Sequence, residues 1–163
     1  MGVKANQLIV VIESGPEDLS ILVEGLEATG VKNPIKHFGS GKGALDYFFN
    51  RGVWSDVRSL PTPALIFLDL HLSDMDGRQF LSLIRHTSSL KTIPIVVFSS
   101  STTQKEANEC YELGANSCMQ KPDSPADCVP ILSCLMDYWS QVIVAPQVNM
   151  SGIKRRFLEK VEK

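Results

Sequence analysis

Short apolar runs alternate with amphipathic stretches along the chain. Five runs of four to six residues predict strands, at 8–12, 34–38, 64–68, 93–98 and 116–119. They are too short for typical helices, and the longer ones are rich in β-branched residues. The runs at 8–12, 64–68 and 93–98 are apolar without alternation. That pattern is typical of strands that are buried on both faces of a parallel sheet.

Stretches with the periodicity of a helix lie between or after these runs. Apolar residues recur at the spacing of one helix face in five stretches, within 19–26, 44–48, 80–84, 107–113 and 128–139. Ser124, followed by Pro125 and Asp127, is a fair N-terminal cap for the last stretch. Pro130 falls inside that stretch, which predicts a kink or a later start near Asp127. Strand–helix units in succession predict the α/β class, as a flavodoxin-like, doubly wound parallel sheet of five strands in the order 2-1-3-4-5, with helices on both faces.

Two segments lie outside this pattern. Residues 51–63 are predicted to form a long loop. Residues 146–163 begin with a proline and carry a basic cluster, so we expect a C-terminal tail with a short helix. The total of 163 residues is typical of one domain, which we place at 6–145.

Composition and charge exclude several classes of protein. Apolar residues make up 44% of the chain and charged residues 21%, as in folded globular domains. The net charge of −2 provides no strong field for nucleic acid or a membrane surface, and no apolar run is long enough to predict a transmembrane helix. The start lacks a secretory signal, and the four cysteines lack CxxC spacing, so we expect a cytoplasmic protein with reduced thiols.

Polar residues follow the predicted strands at the sheet edge where such folds bind ligands. Glu13 follows the first strand, Asp69 the third, Ser99 the fourth and Lys121 the fifth. A divalent cation between Glu13 and Asp69 would relieve their repulsion, and oxygen ligands suit Mg²⁺. A carboxylate beside Mg²⁺ can attack a phosphoryl group, while Lys121 neutralises charge and Ser99 donates to a phosphoryl oxygen.

These residues, in this order, resemble the pattern of bacterial two-component receiver domains, which are CheY-like. The shared pieces are Glu13, Leu68-Asp69-Leu70, Met75-Asp76-Gly77, Ser99 and Lys121-Pro122. Longer strings resemble the stand-alone receivers that are paired with bacterial phytochromes and hybrid kinases; they lie at 66–72, 90–101, 110–116 and 138–139. The resemblance covers about residues 6–145, the predicted receiver domain.

The resemblance implies a single-domain response regulator, which is a signalling module rather than an enzyme. Asp69 would accept a phosphoryl group from a sensor histidine kinase, with Lys121 and Ser99 contacting that group. Glu13, Asp69 and the backbone carbonyl of His71 would hold Mg²⁺. The output would be altered binding of a downstream protein partner or a phosphotransfer protein at the surface of helix four, strand five and helix five. A homodimer is compatible with this interpretation, and neither nucleic acid nor membrane is an expected partner.

Three positions depart from the family pattern. Ser14 stands where the family has a second acid, and its neutral hydroxyl is a poor Mg²⁺ ligand, so we expect weak Mg²⁺ binding. The aromatic switch position is Cys118, and a proline position after the acceptor is Ser73.

Two alternatives stay open. The first is a degenerate receiver that acts as a phosphorylation-independent interaction module, which Ser14 and Cys118 favour. The second is a small flavodoxin-like enzyme or flavin carrier. Against it, the segment after the first strand is acidic, with Glu13, Glu17 and Asp18, and does not form a phosphate-binding loop.

Overall fold

Strands and helices alternate throughout the chain. A computed structural model describes residues 2–57, 60–100, 103–148 and 150. The strands are β1 Leu8–Ile12, β2 Ile35–Phe38, β3 Pro63–Leu68, β4 Ile95–Ser99 and β5 Ser117–Gln120. The helices are α1 Pro16–Ala28, α2 Gly41–Phe48, α3 Gly77–His86, α4 Gln104–Glu112 and α5 Pro125–Asp137. A short 3₁₀ turn lies at Gly52–Trp54, and a π-helical turn at Tyr138–Val142 follows α5.

The strands form one parallel sheet with β1 and β3 near its centre. Its order is β2-β1-β3-β4-β5, and every neighbouring pair is parallel. All residues of β1, β3 and β4 are buried, whereas β5 at the edge is half-buried or exposed. The predicted α/β class and strand order are therefore confirmed.

The apolar strands supply two separate cores, one on each face of the sheet. Val10 and Leu68 belong to the core that α2, α3 and α4 cover. Val11 and Phe67 belong to the core that α1 and α5 cover. Because successive side chains of a strand point to opposite faces, a strand between two helical layers must be apolar at every position. The helices therefore lie on both faces, as predicted.

The last helix begins at its predicted cap. α5 begins at Pro125, directly after Ser124, so a later start near Asp127 is not seen, and the helix continues through Pro130 to Asp137. Ser124 caps the helix because its hydroxyl accepts a hydrogen bond from the Asp127 N–H. Pro125 fits the first turn because the N–H it lacks would have no partner within the helix. The cap therefore determined where the helix begins.

The chain beyond residue 145 returns to the body of the fold. Val148 packs against the core under α2, α3 and α4, and the Met150 side chain is buried in it. Residues 151–163, which include the basic cluster and the predicted short helix, lie outside the described residues. The domain boundary at 145 stays a prediction. Within the described ranges, no helix has the length and apolar character needed to cross a bilayer.

Candidate functional site

The carboxyl edge of the sheet holds a cluster of buried polar side chains. In the described part of the chain, the buried polar or charged residues are Glu13, Asp69, Ser99 and Lys121. Ser99 ends β4, and each of the others comes directly after a strand. The backbone N–H of Lys121 donates to the carbonyl of Ser99 at 2.9 Å, which places β5 beside β4 at this point. The structure thus brings together the four side chains that the sequence placed at this edge.

The Lys121 ammonium is surrounded by three carboxylates. Its Nζ lies 2.5 Å from Glu13 Oε2, 2.8 Å from Asp18 Oδ2 and 3.0 Å from Asp69 Oδ1. Burial alone would lower the pKa of Lys121, but the hydrogen bonds to Asp18 and Glu13 and the charge of Asp69 outweigh it, so the pKa is raised. Lys121 therefore stays charged inside the site.

Asp18 is a member of this cluster that the sequence does not mark as a site residue. It lies in the first turn of α1, five residues after Glu13, and not directly after a strand. Pro16 begins the helix directly after Gly15, so the chain turns at once and Asp18 reaches Lys121. The signal that could have found it is the proline, because Pro at the first helical position fixes where the helix starts.

Backbone groups hold the two buried carboxylates in place. Glu13 Oε1 accepts a hydrogen bond from the Gly15 N–H at 2.8 Å, and Asp69 Oδ2 accepts one from the His71 N–H at 3.1 Å. Burial raises the pKa of Glu13 by more than the hydrogen bond from Lys121 lowers it. The acids are thus oriented by the turns that follow their own strands.

Two buried oxygens in the site accept no hydrogen bond from the described residues. They are Asp69 Oδ1, whose contact with Lys121 is an ion pair without hydrogen-bond geometry, and Ser99 Oγ. Buried polar atoms almost always have hydrogen-bond partners, so such exceptions need an explanation. A bound ligand at this point would provide one.

The Met75-Asp76-Gly77 segment brings the start of α3 against the acceptor loop. A Cβ on Gly77 would lie 2.3 Å from the Asp69 carbonyl oxygen, so only glycine fits. Asp76 caps α3 by accepting from the Arg78 N–H at 2.8 Å. The Arg78 guanidinium lowers the pKa of Asp76 and contacts Glu109 of α4 at 2.6 Å. This motif therefore has a structural role beside Asp69.

The acids of the site meet the needs of a metal ion only in part. In the described ranges, no three or more carboxylate, imidazole or thiol groups are arranged to hold one, and the three acids of this site lie around Lys121. Glu13 and Asp69 nevertheless fit Mg²⁺, since that ion keeps several waters and needs only one or two carboxylates. The Asp69 oxygen that accepts no hydrogen bond supports this fit.

The contact between α4 and β5 contains no aromatic switch residue on the strand. The half-buried Cys118 donates its thiol to the Ala107 carbonyl at 3.9 Å and lies beside the Cys110 thiol. Burial raises the pKa of Cys118 to about 12. Tyr111, at the end of α4, accepts a hydrogen bond from the Cys118 N–H at 3.2 Å. We call these residues, Ala107, Cys110, Tyr111 and Cys118, the α4–β5 contact.

Comparison with known proteins gives consistent relatives. The response regulator receiver domain family matches residues 9–132. The chain is 31% identical over 132 residues to the probable methanogenesis regulatory protein FilR2 of Methanothrix harundinacea (strain 6Ac), and the alignment covers 81% of this chain and 83% of that protein. It is 26% identical over 140 residues to the response regulator Rcp1 of Synechocystis sp. (strain ATCC 27184 / PCC 6803 / Kazusa), and the alignment covers 86% of this chain and 93% of Rcp1.

Solved structures include stand-alone response regulators associated with phytochromes. The Mn²⁺-bound form of Rcp1 has a TM-score of 0.76 at 26% identity and covers 86% of this chain and 99% of its own. The phosphorylated cyanobacterial phytochrome response regulator RcpA has a TM-score of 0.77 at 27% identity, and the match covers 87% of this chain and 99% of RcpA. These neighbours are response regulators, which are signalling modules rather than enzymes. With the family match over residues 9–132, they show that this chain belongs to the response regulator receiver domain family.

Proposed function

We propose that this chain is a single-domain response regulator that accepts a phosphoryl group from a sensor histidine kinase on Asp69. The observation that carries the proposal is the buried Asp69 carboxylate, held beside the Lys121 ammonium with one oxygen that accepts no hydrogen bond. A carboxylate in such a position is a nucleophile with a cation ready for the transferred charge.

The transfer conserves atoms and charge in one displacement. An Asp69 oxygen forms a bond to phosphorus while the bond between phosphorus and the kinase imidazole nitrogen breaks, and the imidazole keeps that electron pair. Lys121 attracts the equatorial phosphoryl oxygens, and the Ser99 hydroxyl, which has no described partner, donates to one of them. Glu13, Asp69 and the His71 carbonyl would hold Mg²⁺, which when bound supplies further charge neutralisation.

Relatives support both the metal site and the phosphoryl acceptance in this proposal. Rcp1 has been solved in a Mn²⁺-bound form, and RcpA has been solved phosphorylated. The family pattern has a second acid directly after the first, but this chain has Ser14 after Glu13. Its Mg²⁺ affinity should therefore be weak.

The output would be binding to another protein. We infer that phosphorylation shifts a two-state equilibrium and alters the surface of α4, β5 and α5, where a downstream protein or a phosphotransfer protein would dock. Tyr111 and Ile131 are exposed apolar side chains on this surface. A cytoplasmic location and a homodimer are both consistent with this proposal.

A second candidate is a degenerate receiver that binds its partner without phosphorylation. Ser14 and Cys118 favour it, because they replace an acid and an aromatic residue of the family pattern. Membership of the receiver family leaves no support for a flavin carrier.

The deciding experiment is incubation with a small phosphodonor and Mg²⁺, followed by intact mass. We expect a gain of one phosphoryl group, which is lost when Mg²⁺ is chelated before the phosphodonor is added. No gain at any Mg²⁺ concentration would favour the phosphorylation-independent module.

A further inference from the structure

We propose that Asp18 is a positioning residue that holds the Lys121 ammonium in the carboxylate cluster and gives it up when a phosphoryl group forms on Asp69. The inference rests on the proposed phosphoryl acceptance at Asp69. It assigns a role to an acid in the first turn of α1, outside the residues that follow the strands.

The Lys121 ammonium is already engaged by carboxylates in this structure. One of its three N–H groups donates to Asp18 Oδ2 at 2.8 Å. Three carboxylates lie within 3.0 Å of Nζ, from Glu13, Asp18 and Asp69. A phosphoryl oxygen that recruits Lys121 therefore competes with these carboxylates for the ammonium.

Asp18 is the partner whose release costs least. Its side chain is 37% exposed, whereas those of Glu13 and Asp69 are each 4% exposed. A buried carboxylate that loses its cation is strongly destabilised, but an exposed one can turn to water. Glu13 is also held by the Gly15 N–H, and Asp69 carries the phosphoryl group itself.

The position of Asp18 in α1 makes release easier still. It lies in the first turn, where N–H groups without partners and the helix dipole favour negative charge. The freed carboxylate stays stabilised there after Lys121 leaves. Asp18 thus competes with the phosphoryl group for the Lys121 ammonium, and removing its charge should favour the phosphorylated state.

The test measures how tightly the site binds beryllofluoride, a phosphoryl mimic, at saturating Mg²⁺ by calorimetry. Asp18→Asn removes the charge at nearly constant shape. Asp18→Glu retains it. Glu17→Gln is the matched control, because it makes the same charge change at an exposed acid one residue away.

We expect Asp18→Asn to bind beryllofluoride about threefold to tenfold more tightly than wild type, as one competing charged hydrogen bond is lost. Asp18→Glu should return towards the wild-type affinity, and Glu17→Gln should match wild type. A role only in folding would lower thermal stability and would not tighten binding.

The outcomes separate the two proposals. Equal or weaker binding by Asp18→Asn, with wild type still binding, overturns the role of Asp18 and leaves the proposed function intact. An equal gain in Glu17→Gln also overturns it, since the effect would then be general charge. No binding by any variant, wild type included, rejects the proposed function and the Asp18 role together.

Discussion

The carboxylate cluster around Lys121 and the α4–β5 contact differ in how their residues are fixed. The cluster joins the ends of β1 and β3 and the residue after β5, and its members Glu13, Asp69 and Lys121 are buried and ion-paired. The α4–β5 contact lies at the sheet edge, where β5 is half-buried and small thiols meet. Chemistry requires fixed charges, whereas a surface that transmits a signal tolerates replacement of its side chains.

Burial explains why Glu13, Asp69 and Lys121 keep the family pattern while Cys118 departs from it. A change of charge in the cluster would leave a buried ion without its partner, at a cost of several kcal/mol. Replacing an aromatic residue by Cys118 only changes packing at a partly solvated edge. The comparison therefore predicts large effects for the cluster and small effects for the contact.

The largest effect is expected for Asp69→Asn. An amide is a poor nucleophile, so uptake of a phosphoryl group from a small phosphodonor should be abolished, as measured by intact mass. The control is Asp56→Asn, which makes the same change at an exposed site. Labelling of the Asp69 variant at the wild-type level would mean that another residue is the acceptor.

Gly77→Ala tests how tightly the acceptor loop is held. The new Cβ would lie 2.3 Å from the Asp69 carbonyl oxygen and 2.7 Å from the Leu70 Cα, both backbone atoms. We expect the free energy of unfolding to fall by about 3 kcal/mol, as for other overpacked sites, measured by urea denaturation. Gly39→Ala is the control, because its Cβ meets only a side-chain atom at 3.7 Å. A loss no larger than that of the control would contradict the close approach.

The strands and their order were predictable because burial on both faces makes β1, β3 and β4 apolar throughout. The four buried polar residues were predictable because each stands at or directly after a strand end. Asp18 was not, since its contact with Lys121 spans 103 residues and depends on where α1 begins. The start of α5 was predictable from the Ser124 cap and Pro125, and the alternative of a later start, which Pro130 suggested, is not seen.

Ser14→Asp tests the metal site beside the cluster. It adds a carboxylate directly after Glu13, a proposed Mg²⁺ ligand, and the added negative charge should raise Mg²⁺ affinity by about tenfold. Titration calorimetry with Mg²⁺ measures this, and Ser14→Asn controls for size without charge. Unchanged or poorer affinity in Ser14→Asp would refute the view that the missing acid limits the metal site.

The switch itself should run through the loop after β4 and not through Cys118. Ser99 Oγ has no described hydrogen-bond partner, so it can turn to a phosphoryl group and shift residues 99–106, two of which, 101 and 102, lie outside the described residues. We expect amide hydrogen exchange in 99–106 to change with beryllofluoride.

Thiol labelling of Cys118 should stay slow, because burial holds its pKa at about 12. Exposed Cys134 provides the internal reference. A large change in Cys118 labelling without any change in 99–106 would reverse this assignment.

The smallest effect is expected for Tyr111→Phe, which removes one hydrogen bond from the α4–β5 contact. The phenol oxygen accepts from the Cys118 N–H, so it covers a donor of the edge strand β5. Tyr111 is 52% exposed, so water can replace the lost acceptor and the free energy of unfolding should fall by less than about 1 kcal/mol.

The Cys118 amide should exchange faster in the Tyr111→Phe variant, while phosphoryl uptake on Asp69 stays at the wild-type rate. Tyr138→Phe, at another exposed tyrosine, should leave the Cys118 amide unchanged. If Tyr111→Phe slowed phosphoryl uptake instead, the contact would be coupled to the acceptor as firmly as the cluster is, and the distinction between the two regions would fail.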